Sequence, residues 1–232
     1  MKNIVIIGAS SGIGKALAKQ QTDAGNHVYG TFYSSQTASG EEGLSLHHLN
    51  VFDEPLDGSF APQVVDSLVY CPGSVILKPF ARLKPEDFVN DYQLQLVGAV
   101  KVIQALLPRL KNAAHPSIVL FSTIAVQSGF SFHSLVAASK GAIEGLTKAL
   151  AAEFAPKIRV NCIAPSITDT PLAAGLLSTE EKKSANAQRH PLKKIGQPED
   201  LAHLASFLLS EKANWITGQV MHADGGMSTL RV

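Results

Sequence analysis

The sequence predicts an α/β protein in which a doubly wound, mostly parallel sheet of about seven strands carries helices on both faces. Short runs of branched apolar residues recur along the chain, as is typical of buried parallel strands. Helical apolar patterns separate the later runs, and a glycine-rich turn joins the first run to the first helix. Strands that alternate with helices favour a parallel sheet with both faces covered.

The individual elements follow from these patterns. The predicted strands are residues 4–7, 27–32, 44–49, 67–70, 117–121, 158–163 and 219–222. Helices are predicted at 134–154 and 198–209, and an apolar helical pattern runs from Phe88 through Tyr92 to Leu110.

Two connections are short, which predicts an uneven cover for the sheet. Segments 33–43 and 51–66 lack the length for a full crossover helix, so we expect that edge to be thinly covered. No linker, repeat or low-complexity block divides the chain. The sequence therefore predicts a single domain over residues 1–232.

Composition restricts the classes of function. The 232 residues are 45% hydrophobic and 17% charged, which is enough apolar material for a large core and excludes intrinsic disorder. The net charge of +1 offers no field for a nucleic acid or an anionic membrane, so neither partner is predicted. Cys71 and Cys162 stand apart without a CxxC pattern, and neither a disulfide framework nor a metal site is expected.

The apolar run at residues 4–7 is too short for the core of a signal peptide, and no segment approaches 18 apolar residues. We therefore expect a cytoplasmic protein.

The glycine-rich turn Gly8-Ala9-Ser10-Ser11-Gly12-Ile13-Gly14 is a candidate phosphate site. It follows a strand and opens a helix, where backbone N–H groups at the positive end of the helix dipole can hold a pyrophosphate. Glycine is needed where the backbone turns sharply and approaches the phosphates.

Further motifs follow this turn in order, and together they carry a resemblance. They are Tyr70-Cys71-Pro72-Gly73, Ala138-Ser139-Lys140, the stretch from Arg159-Val160-Asn161 to Pro165, Gly196-Gln197-Pro198-Glu199-Asp200, and Ile216-Thr217-Gly218 with Asp224-Gly225-Gly226. Over essentially its whole length the chain resembles the classical short-chain dehydrogenase/reductase family. The resemblance implies a Rossmann-type fold, a nicotinamide cofactor, hydride transfer on a small carbonyl or alcohol substrate, and a homo-oligomer, either a tetramer or a dimer.

The catalytic positions depart from the family pattern. The family's proton-donating tyrosine, four residues before Lys140, falls on Val136, which holds no transferable proton. The usual serine falls on Thr123, which keeps a hydroxyl, and the usual asparagine falls on Gln95, which keeps an amide. The resemblance implies that Lys140 holds the nicotinamide ribose.

His133, three residues before Val136, is a candidate replacement proton donor because an imidazole transfers protons near neutral pH. The alternative is that His133 is a surface or turn residue. Two functions stay open: an oxidoreductase with an altered proton relay, and a catalytically impaired dinucleotide-binding protein with a sensing or structural role.

The resemblance also implies the residues that contact the cofactor. They are Gly8, Ser10, Ser11, Gly12, Ile13, Gly14, Ser34, Ser35, Asn50, Val51, Cys71, Pro72, Gly73, Lys140, Pro165, Ser166, Thr168 and Thr170. No acidic residue occurs from Gly25 to Gly40, so nothing there repels the 2′-phosphate of NADP. We expect NADP, with NAD as the alternative.

Overall fold

The computed structural model describes residues 1–34, 42–56 and 58–231, and it contains a seven-stranded parallel sheet in the order β3-β2-β1-β4-β5-β6-β7. The strands are β1 (Asn3–Ile7), β2 (His27–Phe32), β3 (Leu44–His48), β4 (Ser67–Tyr70), β5 (Ser117–Phe121), β6 (Arg159–Pro165) and β7 (Val220–Ala223). The predicted fold class is confirmed.

Helices cover both faces of the sheet. They are α1 (Gly12–Asp23), α2 (Pro85–Tyr92), α3 (Gly98–Lys111), α4 (Ala125–Ser128), α5 (Ser134–Phe154), α6 (Glu180–Arg189) and α7 (Pro198–Leu209), with short 3-10 turns at Phe80–Arg82, Pro171–Ala173 and Glu211–Ala213. None of the helices in the described part of the chain is long and apolar enough to cross a membrane.

The sheet divides the core in two because successive side chains of a strand point to opposite faces. Val5 and Ile7 pack in the cluster that includes residues of α3 and α5, whereas Ile4 and Ile6 pack in the cluster that includes residues of α1 and α7. All four of these β1 residues are almost completely buried. This burial on both faces explains why the run at 4–7 is apolar throughout instead of alternating.

The strand order reverses beside β1, and this reversal places the site. The chain winds outward from β1 to β3 and then returns to β4, which pairs with the other side of β1. In a doubly wound sheet, ligands bind at such a switch point, beyond the carboxyl ends of the strands. The turn after β1 and the loop after β4 therefore face each other, and a Cβ on Gly8 would lie 3.5 Å from Cβ of Cys71.

The edge at β3 is thinly covered, as the short connections predict. Among residues 33–34, 42–43, 49–56 and 58–66, the described parts of those connections, the structure has no helix. No residue of β3 is fully buried.

A π-helical segment at Gln93–Val97 interrupts the long helix that the apolar pattern predicted. Each π turn takes an extra residue, so the helix face rotates where α2 passes into α3. Tyr92, which the pattern placed on the apolar face, is 43% exposed, whereas Gln95 is completely buried. The placement of Tyr92 was therefore wrong, because a periodic pattern assumes an uninterrupted α-helix.

Gly98, the first residue of α3, should be intolerant of a side chain. A Cβ at Gly98 would overlap the hydroxyl of Tyr70, which donates a 2.6 Å hydrogen bond to the Leu94 carbonyl in the π segment. We expect Gly98→Ala to lower the free energy of unfolding by about 1–3 kcal/mol, the usual cost of overpacking. Urea unfolding followed by circular dichroism measures this.

Gly175→Ala is the matched control for this substitution, since nothing lies within 4 Å of a Cβ there. It should change the unfolding free energy by less than about 0.5 kcal/mol. Equal effects of the two substitutions would contradict the packing described for Gly98.

Candidate active site

The turn between β1 and α1 has the form of a phosphate cradle. Ser11, at the N-cap position, has an extended backbone and makes no side-chain capping bond, so the first N–H groups of α1 have no capping acceptor from this side chain. A Cβ on Gly14 would overlap the Gly8 carbonyl, and Gly12 has a φ of +50°. Only glycine lets the turn and the helix approach this closely, which leaves the positive helix end open to an anion.

The segment after β6 folds against this turn. A Cβ at Gly12 would lie 3.3 Å from Cγ2 of Thr170, so residue 170 contacts the cradle. The Thr170 hydroxyl donates to the Thr168 carbonyl at 3.3 Å, and the buried Thr168 hydroxyl donates to the Ser166 carbonyl at 3.1 Å. Pro165 ends β6 and its carbonyl accepts from the Ile124 N–H, which joins this segment to the end of β5.

The side chain of Ser166 forms a hydrogen bond with a residue that the sequence did not indicate. Its Oγ lies 2.8 Å from Nε2 of His190, and Nδ1 of the same imidazole lies 2.8 Å from the Asn186 carbonyl. His190 is 2% exposed and follows α6 directly. The pair therefore ties the end of α6 to the strand end at 165–166.

The adenosine end of the site is only partly described. Ser34 is exposed just after β2, and Ser35 lies outside the described residues. Asn50, which follows β3, accepts from the Phe52 N–H at 3.2 Å and donates to Asp53 at 2.7 Å, so its side chain is engaged within its own turn. The side chain of Val51 is buried and packs beside Gly98. The backbone of Val51 is therefore the part of this residue that is available to a ligand.

At the centre of the site, α5 presents Val136 and Lys140 one turn apart on one face. Both are buried, at 5% and 8% exposure. Thr123 follows β5, and its oxygen accepts a 3.3 Å bond from the Ala125 N–H, which leaves the hydroxyl hydrogen for another acceptor. His133 lies about 10 Å along the helix from Lys140, and its Nδ1 is 2.8 Å from the Ser131 carbonyl.

A buried polar cluster lies beside Lys140. Gln95 donates from Nε2 to both carboxylate oxygens of Asp91, at 2.9 and 2.8 Å, and the Ser74 hydroxyl also donates to Asp91. Oε1 of Gln95 is buried and has no hydrogen-bond partner among the described residues. A Cβ on Gly73 would lie 3.4 Å from this oxygen and 3.5 Å from Nζ of Lys140, so the two atoms converge on the same glycine.

Sequence reasoning identified Gln95, Lys140 and Gly73 but missed Asp91 and Ser74. Asp91 is 4% exposed, although aspartate is almost never buried without a partner. The only signal in the sequence was an acid one helical turn before Gln95, which reads as an ordinary solvated helix residue.

Burial lowers the pKa of Lys140 to about 8, and the neighbouring Cys162, Asp91 and Cys71 oppose this by favouring the charged ammonium. Burial also raises the pKa of each thiol to about 12. Both thiols therefore stay protonated and uncharged near neutral pH. Of the three groups that favour the charged ammonium of Lys140, the carboxylate of Asp91 is then the one that carries a negative charge.

A second buried carboxylate fixes the back of the site. Glu144, one turn after Lys140, accepts from the Ser122 hydroxyl at 2.7 Å and from Nε2 of Gln127 at 2.6 Å. Oγ of Ser122 also lies 3.3 Å from the Lys140 carbonyl oxygen. These bonds attach the end of β5 to α5 and so keep Thr123 and Lys140 in register.

These features fit a dinucleotide. The uncapped start of α1 suits a pyrophosphate, and the unpartnered Gln95 oxygen and the Lys140 ammonium suit a polar group that lies over Gly73. A cavity of about 420 Å³ opens beside the first turns of α1, lined in part by Gly12, Lys15 and Pro171. Its volume is in the range of small-molecule sites.

Comparison with known proteins agrees with this geometry. A family model described as enoyl-(acyl carrier protein) reductase matches residues 58–228. The 3-oxoacyl-[acyl-carrier-protein] reductase of Aquifex aeolicus is 30% identical over 239 residues, which cover 96% of each chain. A tropinone reductase homolog of Arabidopsis thaliana is 37% identical over 162 residues, which are 69% of this chain and 62% of that protein.

Solved structures show the same fold. The structure of ElxO with NADP bound superposes with a TM-score of 0.89 at 31% identity, covering 99% of this chain and 100% of that one. Ligand-free aldohexose dehydrogenase from Thermoplasma acidophilum has a TM-score of 0.88 at 27% identity, covering 99% and 95%.

The fold and the cradle at the switch point define a nicotinamide-dependent oxidoreductase with a Rossmann-type sheet. More particularly, the chain belongs to the short-chain dehydrogenase/reductase family.

The buried Lys140 should make stability depend on pH. Its folded pKa of about 8 lies below the ordinary value of 10.5, so between these pH values the unfolded chain keeps a proton that the folded chain has lost. Raising the pH through this window therefore stabilises the folded state, by about 3 kcal/mol in total. Lys140→Met should abolish this contribution and be more stable than the wild type at pH 7.

Urea unfolding of both proteins between pH 7 and 10 measures the effect, and the difference cancels the titration of other groups. Lys148→Met is the control, since Lys148 is exposed on the same helix. If the difference in unfolding free energy between Lys140→Met and the wild type stays constant with pH, the lowered pKa of Lys140 is contradicted.

Proposed function

We propose that this protein is an NADP-dependent oxidoreductase that interconverts a small carbonyl compound and its alcohol, in a site where Val136 occupies the position of the family's tyrosine. The observation that carries the proposal is the convergence of Lys140 Nζ and Gln95 Oε1 on Gly73, beside an uncapped helix start. The relatives named as reductases support a carbonyl substrate.

Each part of the site has a definite task in this reaction. The bound cofactor supplies or accepts the hydride. The N–H groups of Gly12, Ile13 and Gly14 hold the pyrophosphate, and the ammonium of Lys140 holds ribose hydroxyls. Thr123, whose oxygen is fixed by the Ala125 N–H, donates its free hydrogen to the substrate oxygen. The remaining cofactor contacts are those that the family resemblance implies.

NADP is favoured over NAD at the adenosine end. No carboxylate occurs between Gly25 and Gly40 to bind a ribose diol or to repel a 2′-phosphate. Ser34 is exposed there, and Lys15 provides a cation on the first turn of α1. ElxO, a structural relative that covers 99% of this chain, is described with NADP bound.

Val136 also motivates a second candidate function. A positioned general acid contributes about 10²- to 10⁴-fold to the rate, and valine supplies none. A protein that binds the cofactor without turnover, in a sensing or structural role, would have the same cradle. The full-length relatives that are named as reductases favour the enzyme.

We further propose a cytoplasmic, single-domain protein that forms a dimer or tetramer through the helical segments around residues 86–111 and 134–154. Val89 and Tyr92 are exposed at 58% and 43% on α2, and nothing lies within 4 Å of a Cβ at Gly145 on α5. A second copy of the chain can cover these apolar and small residues.

Replacing Val136 by tyrosine tests the assignment of the site. With NADPH and a panel of ketones and aldehydes, we expect turnover by the wild type and an increase of at least about tenfold in Val136→Tyr, because a general acid is restored beside Lys140. NADPH oxidation is followed by its absorbance, and cofactor affinity by fluorescence titration.

Val136→Phe is the matched control, since it adds the ring without the hydroxyl and should give no gain. Tight NADPH binding without turnover in either the wild type or Val136→Tyr would support the second candidate function. Weaker binding of NADPH than of NADH would contradict the preference for NADP.

A further inference from the structure

Asp91 is the feature of the site that neither the fold nor the cofactor explains. Its carboxylate is 4% exposed and accepts from Gln95 and Ser74, yet no Lys, Arg or His nitrogen of the described residues lies within 4 Å of it. A buried charge without a counter-ion is costly, so the carboxylate of Asp91 calls for a nearby positive charge that it stabilises.

The charge that Asp91 faces is that of Lys140. Gln95 links the two: it binds Asp91 through Nε2, its free oxygen and the Lys140 ammonium converge on Gly73, and the charge of Asp91 favours the charged form of Lys140. No hydrogen bond or ion pair within the described residues engages Lys140 Nζ. The ammonium therefore has N–H donors available for a ligand, with a negative charge behind it.

We propose that Asp91 keeps Lys140 protonated in this buried site and that Lys140, in place of a tyrosine, delivers the proton to the substrate oxygen. This inference rests on the proposed function and deepens it. In the direction of reduction, the carbonyl carbon receives the hydride of the reduced nicotinamide and an N–H bond of Lys140 breaks as the alcohol O–H bond forms. The neutral amine then takes up a proton from the buffered solvent, so that each reduction consumes one hydride and one proton.

The geometry allows both tasks of Lys140. An ammonium has three N–H donors, so ribose hydroxyls and a substrate oxygen can be bound at once. Val136, one turn earlier on the same face, has no hydroxyl that competes with Nζ for the substrate oxygen. His133 is less well placed, since it lies two turns away with Nδ1 against the Ser131 carbonyl.

The groups that can titrate around Lys140 come from four elements. Asp91 belongs to α2, Cys71 follows β4, Cys162 belongs to β6 and Glu144 belongs to α5. The two thiols have pKa values near 12 and are neutral during turnover near pH 7–8. Glu144 is engaged with Ser122 and Gln127. Asp91 is therefore the positioning residue that can be removed to change the charge state of Lys140.

The first test measures Lys140 without any reaction. Acetic anhydride is pulsed onto the full chain between pH 6 and 10, and mass spectrometry gives the acetylation rate of Lys140, which follows the neutral amine. We expect a midpoint near pH 8 in the wild type. Asp91→Asn and Asp91→Ser should each lower it by about one pH unit, the usual effect of removing one nearby opposite charge.

Glu86→Gln removes a charge from an exposed position of the same helix and should leave the midpoint unchanged. Asp91 is replaced in two ways so that the test can still be made if one of the two variants does not fold. An unchanged midpoint in a folded Asp91 variant would overturn the inference.

The second test measures turnover of the ketone panel with NADPH. The wild-type kcat for reduction should decrease as the pH rises above the acetylation midpoint of Lys140. In Asp91→Asn this decrease should occur at a lower pH, displaced by the same number of pH units as the acetylation midpoint. Lys140→Arg, which stays charged but does not release its proton, should bind NADPH and lose at least about 100-fold in kcat.

The outcomes separate the inference from the proposed function. Turnover that survives Lys140→Arg, or that is lost in His133→Ala instead, overturns Lys140 as the donor and leaves the oxidoreductase proposal standing. NADPH binding without turnover of any substrate in the wild type refutes the oxidoreductase proposal and the donor role together, while the acetylation midpoint still decides the coupling of Asp91 to Lys140.

Discussion

The parallel pairing of β1 with β2 on one side and β4 on the other is the constraint on which the site depends. Parallel pairing brings the carboxyl ends of all seven strands to one edge, and the reversal of order beside β1 opens a crevice there. Residues far apart in the chain, such as Gly8, Gly73 and Thr123, come to this edge because each follows the end of one of these strands. The glycine cradle and the buried cluster at Lys140 therefore lie at the same edge of the sheet.

The site combines close packing with buried charged groups. Close backbone approaches at Gly14 and Gly98 fix the positions of α1 and α3. Buried carboxylates at Asp91 and Glu144 then fix the side chains between them. Buried carboxylates are costly unless hydrogen bonds satisfy them, and here Ser74, Gln95, Ser122 and Gln127 supply those bonds.

The sequence predicted the fold well because local pattern and tertiary structure agree in buried parallel strands. Helix α5 has the bounds that its pattern predicted, and β2, β4 and β5 begin and end where their apolar runs do. Contacts between distant segments were not predictable. Asp91 looked like a surface acid, the π turn at Gln95 broke a regular pattern, and the His190–Ser166 pair joins residues with no common motif. The polar helix α6 was also missed, since it has no apolar face to recognise.

Helix α6 differs from every longer helix of the described chain in that none of its residues is buried. Its neighbours are anchored: Leu177 before it and His190 after it are 4% and 2% exposed. Between these two points the helix is held by polar contacts such as Lys183 with Asp169 at 3.4 Å. Displacement of α6 would thus mainly break polar contacts that water can replace, and it would uncover little of the apolar core.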